Sequence, residues 1–81
     1  MEQRLNKLGF KRVSTLSTIY YRITAKEITS KESSLSQGIK LNLSNISKSY
    51  SLPVKYFQLS EDRRFVIIKL GDTYYRKLLT T

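Results

Sequence analysis

The sequence contains no cysteine, histidine or tryptophan. Without cysteine it has no disulfide framework, and without histidine as well it lacks the usual protein ligands of zinc and haem. The lack of histidine also excludes Ser–His–Asp and Cys–His catalysis. Among the six acidic residues the one adjacent pair is Glu61–Asp62, which we expect to face solvent in a turn. We therefore predict a protein that is not an enzyme and that uses no metal or cofactor.

Long apolar runs are also missing, since the longest, residues 65–68, is stopped by Lys69. Such a run is too short to span a bilayer, and the first ten residues lack the apolar region of a secretory signal. We expect an intracellular, cytoplasmic protein without a membrane partner, although the basic N-terminal region leaves an organelle open. The three glycines, at 9, 38 and 71, are isolated and form no phosphate-binding loop.

Length and composition favour one small domain over residues 1–81. Hydrophobic residues make up 40% of the chain, enough for a small core but not for a deep ligand cavity. Segments rich in β-branched and aromatic residues alternate with polar, turn-forming ones. The fold class that we predict is α+β, with a three- to five-stranded antiparallel sheet and one or two short helices.

The N-terminal region reads as a short helix followed by a strand. Met1, Leu5 and Leu8 have helical spacing, and Gly9 lies where a glycine commonly ends a helix. The segment Phe10–Thr24 is dense in Val, Thr, Ile and Tyr and contains no Gly or Pro, a composition typical of a strand.

The C-terminal region indicates a hairpin. Arg63–Leu70 has the composition of a strand, and Gly71–Asp72 is typical of a turn. Thr73–Leu79 then returns as a second strand or as a short terminal helix.

The middle of the chain is less regular. Thr24–Glu27 has the form of a helix capping box, which favours a short helix or turn beginning at Ala25. Ile39–Ser44 alternates apolar and polar residues, as a half-buried strand does. Val54–Leu59 fits either a strand or a single helical turn.

A helix-turn-helix can be drawn over Ser44–Ser60, with the C-terminal hairpin as a wing. Lys55, Tyr56 and Gln58 would then face a DNA groove. The turn position that usually holds glycine is Ser51, and the first helix would be poor in helix-forming residues. We therefore prefer a loop and a strand there, and keep the helix-turn-helix as an alternative.

Charge is the strongest functional signal, because 15 Lys and Arg residues oppose 6 acidic ones and give a net charge of +9. This excess is spread along the chain, so folding must assemble any basic surface. Cations along strands can neutralise phosphates, and exposed tyrosine rings can stack on bases. We predict a nucleic-acid-binding module that uses mainly phosphate contacts, to DNA or RNA. The candidate cations are Lys11, Arg12, Arg22, Arg63, Arg64, Lys69, Arg76 and Lys77, and the candidate stacking residues are Tyr20 and Tyr74.

A protein-interaction module is the alternative hypothesis. In this case a small subunit or a phage-type or mobile-element-type inhibitor would dock its basic surface on an acidic protein or a ribonucleoprotein. The β-branched segment over residues 13–23 could also pair with a second copy of the chain, so a homodimer is a further possibility. No motif in the sequence is specific enough to name a family.

Overall fold

The computed structural model describes residues 1–13, 25–59 and 65–78, and these form two helices and a five-stranded sheet. In chain order the elements are α1 (Glu2–Lys7), β1 (Phe10–Arg12), β2 (Ala25–Ile28), α2 (Gln37–Tyr50), β3 (Val54–Leu59), β4 (Phe65–Leu70) and β5 (Thr73–Leu78). The strand order in the sheet is β1-β5-β4-β3-β2, and every neighbouring pair is antiparallel. The predicted α+β class with an antiparallel sheet is confirmed.

The core lies between one face of the sheet and the two helices. On the central strand β4 the side chains of Val66, Ile68 and Leu70 alternate onto this face and are buried. The other buried members of the core cluster are Leu5, Phe10, Leu35, Leu43, Ile46, Tyr56 and Tyr75. Each fully buried Leu or Ile contributes about 1.5–3 kcal/mol to the free energy of unfolding. We call this side of the sheet the helix face.

The predicted N-terminal helix is confirmed as α1. Its buried residue Leu5 joins the core, and the backbone N–H of Gly9 donates to the carbonyl of Asn6. Gly9 has a φ of 94°, which a residue with a side chain rarely adopts. The strand predicted from Phe10 begins there as β1, while residues 14–24 lie outside the described part of the chain.

The predicted β4–β5 hairpin is also confirmed, and the terminal segment is a strand rather than a helix. Leu70 pairs with Thr73, so Gly71–Asp72 is a two-residue turn. Gly71 has a φ of 59°, and a type II′ turn requires such a conformation at its first central residue.

The strand predicted over Ile39–Ser44 is wrong, because these residues belong to α2. Ser36 caps this helix, since its hydroxyl accepts from the N–H of Ile39. Leu43 and Ile46 are buried on one side of the helix, whereas Leu41 remains 65% exposed. The buried apolar residues therefore have helical spacing. The strand-like alternation of Ile39, Leu41 and Leu43 arises by chance, because Leu41 does not contribute to the buried side.

The helix or turn predicted from Ala25 is also wrong, because residues 25–28 form β2. The reciprocal bonds of a capping box occur five residues later. There the N–H of Thr29 donates to Glu32 at 3.0 Å, and the N–H of Glu32 donates to the Thr29 hydroxyl at 3.3 Å. These bonds to Thr29 hold the pKa of the exposed Glu32 carboxyl below its usual value.

The helix-turn-helix over Ser44–Ser60 is wrong as well. Residues 44–50 are helical, as its first half requires, but Val54–Leu59 is strand β3 and not a second helix. None of the described helices is long and apolar enough to cross a membrane.

Ser51 generates a stability prediction, because it ends α2 in the left-handed region with φ 53° and ψ 41°. Glycine adopts this conformation without the steric cost that a side chain imposes. We expect Ser51→Gly to raise the free energy of unfolding by about 0.5–1 kcal/mol. The matched control, Ser49→Gly inside the last turn of the helix, should lower it by about 0.5 kcal/mol. Urea unfolding of the three proteins checks both signs, and a Ser51→Gly protein less stable than wild type would contradict this account.

Candidate nucleic-acid interface

Basic side chains gather on the side of the sheet that lies opposite the helix face. Lys11 on β1, Lys55 on β3, Lys69 on β4 and Arg76 on β5 alternate with residues of the helix face, and alternation places them here. Lys11, Lys55 and Arg76 are exposed and Lys69 is half-buried. We call these four residues the basic sheet face.

A second apolar cluster supports these cations. Val13, Ile67 and Tyr74 are buried in it, and the half-buried Phe57 and Phe65 pack against them. The rings of Phe57 and Tyr74 lie 5.7 Å apart between centroids and are tilted by 48°. The cations therefore stand on a packed apolar surface, which limits the positions that their stems can adopt.

The sheet register places the four cations in two pairs of like charge. Lys11 lies directly opposite Arg76 across β1 and β5, and Lys55 lies directly opposite Lys69 across β3 and β4. We call these the β1–β5 pair and the β3–β4 pair. Like charges directly opposite each other on neighbouring strands destabilise a sheet, so the Lys55–Lys69 pair is a cost to the free protein.

In each pair the inner cation leans onto an aromatic ring, away from its like-charged neighbour. The Lys69 ammonium lies 5.4 Å from the centroid of the Tyr74 ring, on the strand away from Lys55. The Arg76 guanidinium lies 4.9 Å from the centroid of the Phe65 ring, on the strand away from Lys11. Such cation–π contacts contribute about 0.5–1 kcal/mol at exposed sites and keep both charges on this face.

Among the residues that the structure describes, one carboxylate stands at the margin of this surface. Glu27 on the edge strand β2 is exposed and lies opposite Phe57 in the register. It is diagonal to Lys55, two residues along β3, so the basic charge ends near the β2 edge of the sheet.

Four of the predicted site residues come together on this face. These are Lys11, Lys69, Arg76 and Tyr74. Tyr74, however, is only 8% exposed, and its ring contacts Phe57 and Lys69. This ring therefore offers little surface for a nucleic-acid base, and its observed contact is with a cation.

Two other predicted cations lie on the helix face. Arg12 alternates with Lys11, and its guanidinium lies 3.9 Å from the Glu2 carboxylate. Lys77 alternates with Arg76, so its side chain lies on the helix face. Its ammonium group packs against Gly9, 2.5 Å from the position that a Cβ atom on that glycine would occupy. The structure therefore separates these two residues from the basic sheet face. The remaining predicted residues, Tyr20, Arg22, Arg63 and Arg64, lie outside the described ranges.

Sequence reasoning did not include Lys55, Phe57 and Phe65 in the binding surface. Lys55 was predicted to contact DNA only as part of the helix-turn-helix, but in the structure it lies on strand β3. Reading Val54–Leu59 as a strand would have placed Lys55 and Phe57 on one face by alternation. Their neighbours on that face depend on the strand order, which the sequence does not reveal.

A shallow cavity of about 350 Å³ lies between α2 and the β2–β3 edge of the sheet. Its walls include Ser30, Lys40, Ser44 and Tyr56. Burial raises the pKa of the Tyr56 hydroxyl, and a hydrogen bond with Ser30 partly opposes this change. Lys55 also lines the cavity, and alternation along β3 directs its side chain to the basic sheet face.

Comparisons of the chain with models of protein families, with curated proteins and with solved structures yield no match. The function must therefore be inferred from the geometry of this chain.

The like-charge pairs generate a prediction about the free protein. Lys55→Gln should raise the free energy of unfolding at low ionic strength by about 0.2–1 kcal/mol, because it removes the repulsion from Lys69. The gain should shrink as salt screens the two charges. Lys26 is the matched control, since it is an exposed strand lysine on the helix face that lies opposite uncharged Gln58. Thermal melts at low and high salt check the difference, and an equal response of Lys26→Gln and Lys55→Gln would contradict it.

Proposed function

We propose that this protein binds nucleic acid through the basic sheet face, mainly by contacts with phosphates. The observation that carries the proposal is the pairing of like charges, Lys11 with Arg76 and Lys55 with Lys69, on one side of the sheet. Lysine opposite lysine costs stability in the free protein, and an anion bound between Lys55 and Lys69 would reverse the sign of that cost. A polyanion can satisfy both pairs at once.

The extent of the surface suits a short run of phosphates. The basic sheet face reaches from β1 to β3, which is three strand spacings or about 14 Å. A duplex carries about one phosphate charge per 1.7 Å of its axis, so several phosphates fall within this width. Four cations that each neutralise one phosphate predict a slope of log affinity against log salt of about −3.6 for duplex DNA and −2.8 for single strands.

The residue types on the basic sheet face suit contacts with the phosphate backbone of nucleic acid better than contacts with its bases. Three of the four are lysines, which interact with phosphate as compact point charges, and Tyr74 is too buried to stack. Phosphate contacts position a protein on nucleic acid without reading its sequence. The proposed binding is therefore largely independent of sequence.

The first test is fluorescence anisotropy with labelled single-stranded DNA, duplex DNA and RNA over a range of salt concentrations. We expect binding at low salt that weakens linearly on logarithmic axes, with a slope near the values above. A folded protein that binds none of the three at low salt would contradict the proposal. Pull-down on acidic proteins would then test whether the surface belongs to a protein partner.

Neighbouring residues on β1 allow a matched mutational test. Lys11 lies on the basic sheet face, whereas Arg12, the next residue, lies on the helix face beside Glu2. We expect Lys11→Gln to weaken binding of unrelated sequences equally and to reduce the salt slope by about 0.7–0.9, because one phosphate contact is lost. Arg12→Gln should leave the slope unchanged. Anisotropy titrations of both variants measure the affinity and the salt slope. An equal loss of affinity in the two variants would show that the binding site is not confined to the basic sheet face.

A further inference from the structure

We propose that the cavity between α2 and the β2–β3 edge of the sheet is a binding site for a phosphate monoester. A free nucleotide carries such a group, and so does the phosphorylated end of a nucleic-acid strand. The volume of about 350 Å³ suits a small molecule or one end of a larger one. Apart from Lys55, the cavity shares no cation with the basic sheet face, so this inference goes beyond the proposed function.

Lys40 is the basic residue that α2 contributes to the lining of the cavity. It is half-buried and belongs to the first turn of the helix, where the helix dipole disfavours a cation. That turn holds no acidic residue, and within the described ranges no carboxylate forms an ion pair with Lys40. An anion in the cavity would therefore be attracted by the lysine and by the positive end of the helix dipole.

Three residues with hydroxyl groups line the same cavity. Ser44 lies four residues after Lys40 and so on the same side of α2, while Ser30 and Tyr56 line it from the sheet. The bond with Ser30 lowers the pKa of Tyr56, as a hydrogen bond donated to the phenolic oxygen does. The Tyr56 hydroxyl is thus left to donate to a ligand, and burial, which raises its pKa, keeps it protonated at neutral pH.

Glu27 also lines the cavity, and a carboxylate there would repel an anion. Glu27 alternates, however, with Ile28, which packs against the core on the helix face. Alternation therefore directs the exposed Glu27 side chain to the other face, where Lys55 is its diagonal neighbour. The side of the cavity that faces α2 combines a lysine and hydroxyl groups with the apolar Ile28 and Val54.

This set of groups suits a terminal phosphate better than a carboxylate. A phosphate monoester carries a charge of about −1.5 to −2 at neutral pH and three strong acceptor oxygens. A carboxylate has one charge and two oxygens. One lysine and three hydroxyl groups can serve all three phosphate oxygens, which is why we assign the site to a monoester.

The experiment compares oligothymidylates of one length that carry a 5′-phosphate, a 3′-phosphate or hydroxyl groups at both ends. Fluorescence anisotropy measures their affinities, and calorimetric titration measures the binding of thymidine 5′-monophosphate and of thymidine. We expect a phosphorylated end to raise the affinity of the strand about tenfold, or the monophosphate to bind at least about tenfold more tightly than the nucleoside.

The variants Lys40→Gln and Ser44→Ala test the site. Both residues are half-buried and neither belongs to the buried core cluster, and circular dichroism verifies folding. Lys40→Gln should reduce the preference for the phosphorylated probe to about one, and Ser44→Ala should reduce it about threefold. The matched control is Lys48→Gln, which removes an exposed lysine of α2 that does not line the cavity and should retain the preference.

The outcomes identify the source of the phosphate and separate this inference from the proposed function. Preference for a phosphorylated end identifies the end of a strand, and binding of the monophosphate without that preference identifies a free nucleotide. Equal affinity for all strands, together with no binding of the monophosphate, would overturn the site while nucleic-acid binding stands. A preference that persists in Lys40→Gln would also overturn it. If no strand binds, the proposed function fails, and the monophosphate titration alone decides whether the cavity is a phosphate site.

Discussion

Strand β4 lies at the centre of the sheet and determines how the other strands pair. Its side chains are apolar on both sides, with Ile68 buried against the helices and Ile67 buried on the opposite face. A slip of one residue in its pairing would exchange the two faces, moving Lys69 into the core. The register of β4 with β3 and β5 is therefore strongly specified, and it fixes which residues of the neighbouring strands share a surface.

The basic sheet face is a consequence of this register. The same alternation that directs Tyr56 and Tyr75 into the core directs Lys55 and Arg76 to the other side. A sheet under selection for stability alone would not place lysine opposite lysine. The aromatic rings beneath the inner cations moderate the repulsion between neighbouring like charges and keep these cations on the basic sheet face.

Local sequence patterns correctly predicted the turn and the helix end that depend on a single glycine. The hairpin turn at Gly71 and the end of α1 at Gly9 need a positive φ, and glycine signals it directly. The strand predicted over Ile39–Ser44 was wrong because Ile39 and Leu43 also fit a helical spacing, and the burial of Leu43 and Ile46 in the core decides for the helix. Tertiary packing therefore overrides a six-residue pattern.

The candidate site was only partly predictable for a related reason. Charge and strand composition identified Lys11, Lys69 and Arg76, but they also selected Arg12 and Lys77, which lie on the other face. Separating these residues needs the exact start of each strand and the order of strands in the sheet. Both are set by contacts between residues far apart in the chain.

Lysine footprinting distinguishes binding at the basic sheet face from binding elsewhere on the protein. The protein would be acetylated with and without bound nucleic acid, and the modification of each lysine would be measured by mass spectrometry. We expect nucleic acid to protect Lys11, Lys55 and Lys69, whereas Lys7 and Lys26, which lie outside the basic sheet face, should react equally in both samples. Protection of Lys7 and Lys26 with continued reaction of Lys11 and Lys55 would contradict it.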